Sequence, residues 1–485
     1  MAGLLLHNAR LVLPGVDAQA SLPWGALLIQ DRHIAAILQS PAEIEAARGT
    51  TEAVDLEGQV LMPGLVSAHS HSYSTAARGT ENSLPLEPWA LYTVALGRAL
   101  GDEAFRLAVL LTAAEMLRGG ITGCIDHFAY AGRAELAFAA HGETGMRVAL
   151  APMLHDTPDH DLLGIALPDA LRRRVEGPPR PGPAEMDALF RRLHRDWHGR
   201  DGRLLLLLGP NAPQRCSPAL WTLWRNLARE LDLGAHTHLL ETRAQAGIGR
   251  RLFKDGVVGA MAAEGLLNER LSVAHGIWTA PNERALLAEH GVTVVHNPIS
   301  NLVLGSGVLP MADYRRRGMR IALGSDGSNS GGRHDLFEVM RLAMTLPRPG
   351  IDDPADWPNA AEALGWATEG GARAMGLAGK TGRIATGYAA DLTVLDLRGA
   401  ARAPLVENLV SVVHYGGPDC VHAVMVGGAW VYRDGKVLGF DEDKARDRFA
   451  AVRAEILETA KPELETADEA APYFAGLAGK AATKG

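Results

Sequence analysis

Two histidines one residue apart, His69 and His71, close the run Val60-Leu61-Met62-Pro63-Gly64-Leu65-Val66-Ser67-Ala68-His69-Ser70-His71. In an extended strand, residues i and i+2 point to the same face, so both imidazoles project from one side and make half of a tetrahedral metal site. Other short apolar runs also end in polar groups: Asp126-His127, His236-Thr237-His238 with Glu241 just beyond, Ala274-His275, His296-Asn297 and Ser325-Asp326. Such groups are costly at core positions of strands, so their recurrence points to a shared site. His69, His71, one histidine of the 236/238 pair and Asp326 supply three imidazoles and a carboxylate, a set that holds a divalent metal and leaves room for water. A two-metal centre would need a bridging ligand such as a modified lysine. The run 203–211, where it would stand, contains none, so a single ion is expected.

These groups need a scaffold that brings strand ends together. Apolar runs at 121–127, 147–154, 203–209, 233–240, 271–275, 292–296 and 319–325 alternate with helical patterns and, with the His69 strand, make eight. Near-continuous apolar strands alternating with helices predict an α/β fold, a closed parallel (β/α)8 TIM barrel whose active site gathers at the carboxyl ends of the strands. Residues 102–118 read as a clear helix, with Asp102 as N-cap and Gly119-Gly120 as its stop. Short strands at 4–57 and again at 387–397 and 421–438 are each too few for a stable sheet, so they are expected to pair with each other. The predicted organisation is a composite β-sandwich domain from 1–57 and 385–440, a catalytic barrel at 58–384, and a C-terminal helix with a loose tail at 441–485. One stretch, 159–200, breaks the rhythm with Arg172-Arg173-Arg174 and a proline-rich run, and reads as a surface excursion followed by a helix.

Bulk properties narrow the function. The chain has 485 residues, 47% of them hydrophobic, and a formal net charge of -8, which provides no basic field for nucleic acid. No apolar run is long enough to span a bilayer, and the N-terminus lacks a basic start followed by a long apolar region. Cys124, Cys216 and Cys420 are far apart and form no CxxC pair, which fits a reducing cytoplasm and leaves histidine and carboxylate to hold any metal. The expectation is a cytoplasmic enzyme acting on a small molecule, with no nucleic acid and no membrane partner.

Taken together, His69-Ser70-His71 after Pro63-Gly64, His238-Leu239-Leu240-Glu241, Ala274-His275-Gly276, the run His296-Asn297-Pro298-Ile299-Ser300-Asn301 to Gly307, and Gly324-Ser325-Asp326-Gly327 resemble the amidohydrolase superfamily. Within it they resemble the cytosine, guanine, S-adenosylhomocysteine and triazine aminohydrolases. The resemblance implies that His69, His71, His238 and Asp326 bind the metal, zinc first and iron second, and that Glu241 shuttles protons. It also implies that His275 orients the water and the tetrahedral intermediate, and that the protein assembles as a homodimer or larger homo-oligomer. The chemistry accounts for these residue types: a metal brings its water toward neutral pKa so that hydroxide can attack an amidine-like carbon, Asp326 takes the water's proton, and Glu241 protonates the ring nitrogen and then the leaving amine. His236 is the alternative ligand, with a place behind the metal as the competing reading.

The loop after His71 is where barrel enzymes vary with substrate. Arg78 and Trp89 match the spacing of the S-adenosylhomocysteine-type deaminases, whereas Arg98 stands where those enzymes carry a ribose-contacting glutamate, which speaks against a nucleoside. Arg98 pointing inward would suit a carboxylate, a carbonyl or an electron-rich ring; the alternative is a surface helix residue. His127, His155 and Asp156 close strands two and three and are candidate pocket residues, with hydrogen-bonded loop support as the alternative for the last two, while His296 reads as structural. The expected activity is hydrolytic deamination of an amino-substituted purine, pyrimidine, triazine or pterin. The competing reading is hydrolysis of a cyclic amide or of another ring substituent at the same site, and a silent binding scaffold is disfavoured because no ligand or shuttle is missing.

Overall fold

The computed structural model describes residues 3–81, 83–399, 402 and 405–475. The expected loose tail, 477–485, lies outside them. The fold is mixed α/β with two parallel sheets and one mixed sheet. In the first parallel sheet, Leu65–His71 pairs with Ile121–Phe128, which pairs with Arg147–Leu154, and that strand carries both Leu204–Leu206 and Gly209–Pro210. In the second, Ala235–Leu239, Leu271–His275, Thr293–His296 and Arg320–Leu323 pair in order. A parallel bridge from Leu208 to Ala235 joins the two, and Asp326–Gly327 returns to pair with Ser70 and His71. The longer of these strands are buried along their whole length because helices cover one face and side chains fill the other.

The mixed sheet has nine strands and draws on both ends of the chain. Leu4–Leu11 and Val60–Pro63 run parallel, and Leu392–Leu395 pairs antiparallel with Val60–Pro63 and with Val421–Val426. The apolar run 60–71 is therefore two strands: Val60–Pro63 belongs to this sheet and Leu65–His71 to the parallel one. The break falls at Pro63–Gly64, where the chain crosses so close to Thr122 that a Cβ on Gly64 would lie 2.2 Å from its side chain.

The helix Asp102–Arg118 forms as expected, but its N-cap is Gly101 and Asp102 lies in the first turn, where its charge favours the helix dipole. The excursion is more ordered than the sequence suggests, with helices at Asp159–Leu163, Asp169–Glu176 and Pro183–Trp197. The last buries Met186, Leu189, Phe190 and Leu193 at helical spacing, so it is an amphipathic helix packed on the parallel sheet's outer layer. Glu442–Ala475, 34 residues long, runs across Leu86–Arg98 and the 169–176 helix, with Ala470 and Phe474 packed against Leu171 and Leu91. Among the described residues, no helix is long and apolar enough to cross a membrane.

Candidate active site

The carboxyl ends of the parallel strands bring four imidazoles to one point. Each ring is oriented from behind through Nδ1. His71 Nδ1 donates to the His127 carbonyl at 2.6 Å and His238 Nδ1 to the Asn211 carbonyl at 2.7 Å. His275 Nδ1 donates to Asn301 Oδ1 at 2.8 Å, and His69 Nδ1 donates to His236 Nε2 at 2.8 Å. Protonation at Nδ1 leaves every Nε2 lone pair facing the centre. There His69 and His71 Nε2 lie 3.5 and 3.3 Å from Asp326 Oδ1, and His238 Nε2 lies 3.4 Å from His71 Nε2. His69 Nε2 is buried and makes no hydrogen bond among the described residues.

Burial drives the His69 imidazole down to about 4 and holds His238 well below its ordinary pKa, so both are neutral. Burial by itself would raise the Asp326 carboxyl, but His69 and His71 beside it hold it well below the usual carboxylate range. Against the effect of burial, Asp326 raises the His71 imidazole, so that ring must give up a proton to take an ion, whereas His69, His238 and Asp326 already stand in the protonation states that metal binding requires. His69, His71 and Asp326 form one group of donor atoms close enough to hold an ion, and His69, His238 and His275 form a second. His69, His127 and His236 form a third, deeper group. The donor set fits a divalent metal.

Backbone strain marks the same spot. Leu240, His275 and Asp326 are non-glycine residues with φ of 45°, 72° and 58°; Leu240 follows the strand Ala235–Leu239, His275 ends Leu271–His275 and Asp326 opens Asp326–Gly327. Left-handed backbone costs on the order of 1–2 kcal/mol per residue, and it persists where the surroundings over-determine it. Asp326 is held by Ser300 Oγ, which donates to Oδ2 at 2.6 Å, and by the Gly327 N–H, which donates to Oδ1 at 2.7 Å. Glu241 is buried; burial raises its pKa, and Ser306 Oγ donates to its Oε1 at 3.1 Å. His275 Nε2 stands 3.6 Å from Glu241 Oε2 and 3.8 Å from Asp326 Oδ2, between the two carboxyls.

This centre forms the floor of a cavity of about 710 Å³. Trp89 and His155 line it, and each carries a buried nitrogen, Trp89 Nε1 and His155 Nδ1, without a hydrogen-bond partner among the described residues. Burial takes His155 down to about 3. His127 lies below the floor, packed against the rings of His69, His71, His236 and His238. Arg78 turns toward Glu115 and Ser328. Arg98 lines the cavity, but its guanidinium is engaged with the carbonyls of Arg174, Val175 and Glu176 and with Glu463. Asp156 accepts from the Ser217 N–H, and His296 is buried, with burial taking it down to about 3.

Sequence reasoning assigned no role to Ser300, Asn301 and Ser306, the partners of Asp326, His275 and Glu241, nor to Ser272, which accepts from His236 Nδ1 at 2.7 Å. The signal was present in part: the segment after His296 carries four small polar residues that the fold buries, Asn297, Ser300, Asn301 and Ser306.

A closed cluster of imidazoles and one carboxylate at the ends of parallel strands defines a class, and comparison gives it a family. Residues 60–431 match the amidohydrolase family, and the chain belongs to that family. It is a hydrolytic enzyme acting on C–N bonds. The chain is 31% identical over 450 residues to a 5-methylthioadenosine/S-adenosylhomocysteine deaminase of Syntrophobacter fumaroxidans, covering 92% of this chain and 97% of that one. It is 28% identical over 460 residues to a 5'-deoxyadenosine deaminase of Methanosarcina mazei, covering 94% and 99%. Among solved structures, it is similar to a zinc-bound adenosine deaminase from Xanthomonas campestris, with a TM-score of 0.82 and 28% identity over 94% of this chain and 98% of that one.

Proposed function

We propose that this protein is a metal-dependent hydrolytic deaminase of an amino-substituted nitrogen heterocycle, with 6-aminopurines first among the ring types because the relatives are named for adenosine-type substrates. In this reading the eight parallel segments close as a (β/α)8 barrel, a closure supported by the return of Asp326–Gly327 to Ser70 and His71. The nine-stranded sheet is the composite domain of the two chain ends. His69, His71, His238 and Asp326 hold one ion, zinc. The convergence of four inward Nε2 atoms with Asp326 and Glu241 on one cavity floor carries the proposal.

The ion supplies Lewis acidity that brings a water's pKa toward neutrality. Asp326, ionised and fixed by Ser300, accepts the proton that water loses. Glu241, whose burial keeps a proton on it to higher pH than a free glutamate, donates that proton from Oε2 to the ring nitrogen next to the attacked carbon. Ionised by that transfer, Glu241 takes the proton of the added hydroxyl as the carbonyl forms and passes it to the departing amine, which leaves as ammonia; the proton left on Asp326 then restores Glu241. Ser306 holds Oε1, so Oε2 faces His275 and the substrate. His275, between the two carboxyls, orients the attacking oxygen. Trp89 offers an indole face and a free N–H to the ring. Arg98 shapes the wall without touching the ring.

The test is ammonia release from a panel of amino-purines, pyrimidines, triazines and pterins. Turnover on one of them, falling about 10²–10⁴-fold in Glu241→Gln with metal content unchanged, is the expected result. No ammonia from any of them, with one equivalent of metal bound, would overturn deamination in favour of cyclic-amide hydrolysis.

A further inference from the structure

The loop that follows the strand Arg320–Leu323 carries Asp326 and turns back sharply. The Gly331 N–H donates to the Gly327 carbonyl at 2.6 Å, and a Cβ on Gly331 would lie 2.2 Å from the Ser325 carbonyl. His334 stands at the end of this loop, buried and outside both the active-site cavity and the groups of metal donors. Its ring bridges the two sides of Asp326, with Nδ1 2.8 Å from Ser325 Oγ and Nε2 2.9 Å from Ser328 Oγ. No step of the deamination uses it.

The protons on this bridge follow from its neighbours. Burial takes the His334 imidazole down to about 3, so the ring is neutral and has one N–H and one lone pair. At one end, Ser67 Oγ donates to the His69 carbonyl at 3.2 Å, so the Ser325 hydroxyl, 2.9 Å away, donates to Ser67. Ser325 Oγ has then spent its proton and accepts from His334 Nδ1, which leaves Nε2 to accept from Ser328 Oγ. Ser328 Oγ accepts in turn from Arg78 Nη2 at 3.1 Å. Arg78 is held by Glu115, which also accepts from the His334 N–H at 3.3 Å. The bonds therefore run one way, from Arg78 through Ser328, His334, Ser325 and Ser67 to the His69 carbonyl. A second thread leaves the same loop: the Ser328 N–H donates to Ser74 Oγ at 2.7 Å, and Ser74 Oγ donates to the His71 carbonyl at 2.6 Å. Hydrogen bonds aligned head to tail polarise and strengthen one another.

Asp326 needs such support, because a non-glycine residue at φ 58° keeps that backbone only where its surroundings over-determine it. Ser300 and the Gly327 N–H aim its carboxylate, whereas the His334 bridge fixes the residues on either side of it.

We propose that His334 is a positioning residue, holding Asp326 in register with His69 and His71 through the hydroxyls of Ser325 and Ser328 and so setting how tightly the site holds its ion. The inference rests on the reading of His69, His71 and Asp326 as metal ligands and is independent of which ring is deaminated.

The test is chelator competition for zinc, with the visible spectrum of the cobalt(II)-loaded protein, on the parent, His334→Phe, His334→Asn and Ser328→Ala. Phenylalanine keeps a ring and removes both bonds, whereas asparagine places an amide N–H where Nδ1–H stood and keeps the bond to Ser325. His334→Phe should weaken zinc binding by about 10–100-fold and shift the cobalt bands, and His334→Asn should recover most of that loss. Adding Ser325→Ala to His334→Phe should cost little more than His334→Phe alone, because both break one chain. Unchanged affinity and spectrum in His334→Phe, with only thermal stability lowered, reduces His334 to packing and overturns the proposal. An asparagine variant as weak as the phenylalanine one, or a fully additive loss in the double variant, overturns it too. Where His334→Phe does not fold, Ser328→Ala decides: weakened zinc binding supports the proposal and an unchanged constant overturns it. A parent protein that binds neither ion overturns the metal-site reading, and the role of His334 with it.

Discussion

At the floor of the cavity, the imidazole nitrogens of the centre that face away from it are tied to acceptors on neighbouring strands and loops, and these contacts are buried, or half-buried at His238. At the rim, the wall is held by arginine–carboxylate and similar pairs open to solvent: Arg98 to Glu463, Arg174 to Glu469, Tyr92 to Asp468. The floor rests on short, directional bonds to backbone and buried side chains that salt does not reach. The rim rests on charges that salt screens and that contribute about 0.2–1 kcal/mol per exposed pair. Chemistry needs atoms held to tenths of an ångström, whereas substrate entry tolerates a wall that yields, so the two regions are stabilised differently.

The contrast is broken most severely at the floor. His238→Ala should abolish metal binding and reduce turnover to background, read by metal emission spectrometry alongside activity; retention of a full equivalent would show that His236 or His275 is the true ligand.

One layer behind, His236→Asn should weaken metal affinity by about 10–100-fold, since it loses the acceptor that fixes the His69 tautomer through the His69–His236–Ser272 chain. Chelator competition measures it, and an unchanged constant would reduce His236 to packing.

The buried neutral histidines make the protein acid-sensitive before any carboxylate is involved. His296 and His334 are held down to about 3 by burial, against 6.5 when unfolded. The unfolded chain therefore binds protons between those limits that the folded chain refuses, and stability falls as pH drops below about 6.5. Each should cost about 2 kcal/mol at pH 5 relative to pH 7. Denaturant titrations at the two pH values test the sign, and a His296→Gln variant should have a shallower pH dependence.

The smallest effect is expected at the rim. Arg98→Gln should cost about 1 kcal/mol of stability and raise KM several-fold with kcat little changed, and added salt should move the parent enzyme in the same direction. A collapse of kcat would instead place Arg98 against the substrate.

The residues themselves carry a good deal of this. The i, i+2 spacing of His69 and His71 dictates that both rings share a face, and polar groups closing successive apolar runs mark where the strands end. Helix 102–118 is legible because its periodicity and its glycine stop agree. What the residues leave open is depth and partnership. His236 and His238 also share a face, one pleat repeat or about 7 Å apart along the strand, and nothing local says which reaches the centre. The register with the next strand decides it: His236 sits opposite Ser272, behind His69, while His238 sits opposite Ala274, level with His71. Arg98 and Arg78 are likewise equivalent as letters. Only packing shows that the first is surrounded by carbonyls and a carboxylate brought from 76 and 365 residues away, while the second turns to Glu115 and Ser328. Local sequence sets which way a side chain leaves the backbone, and the assembled tertiary structure sets what it meets there.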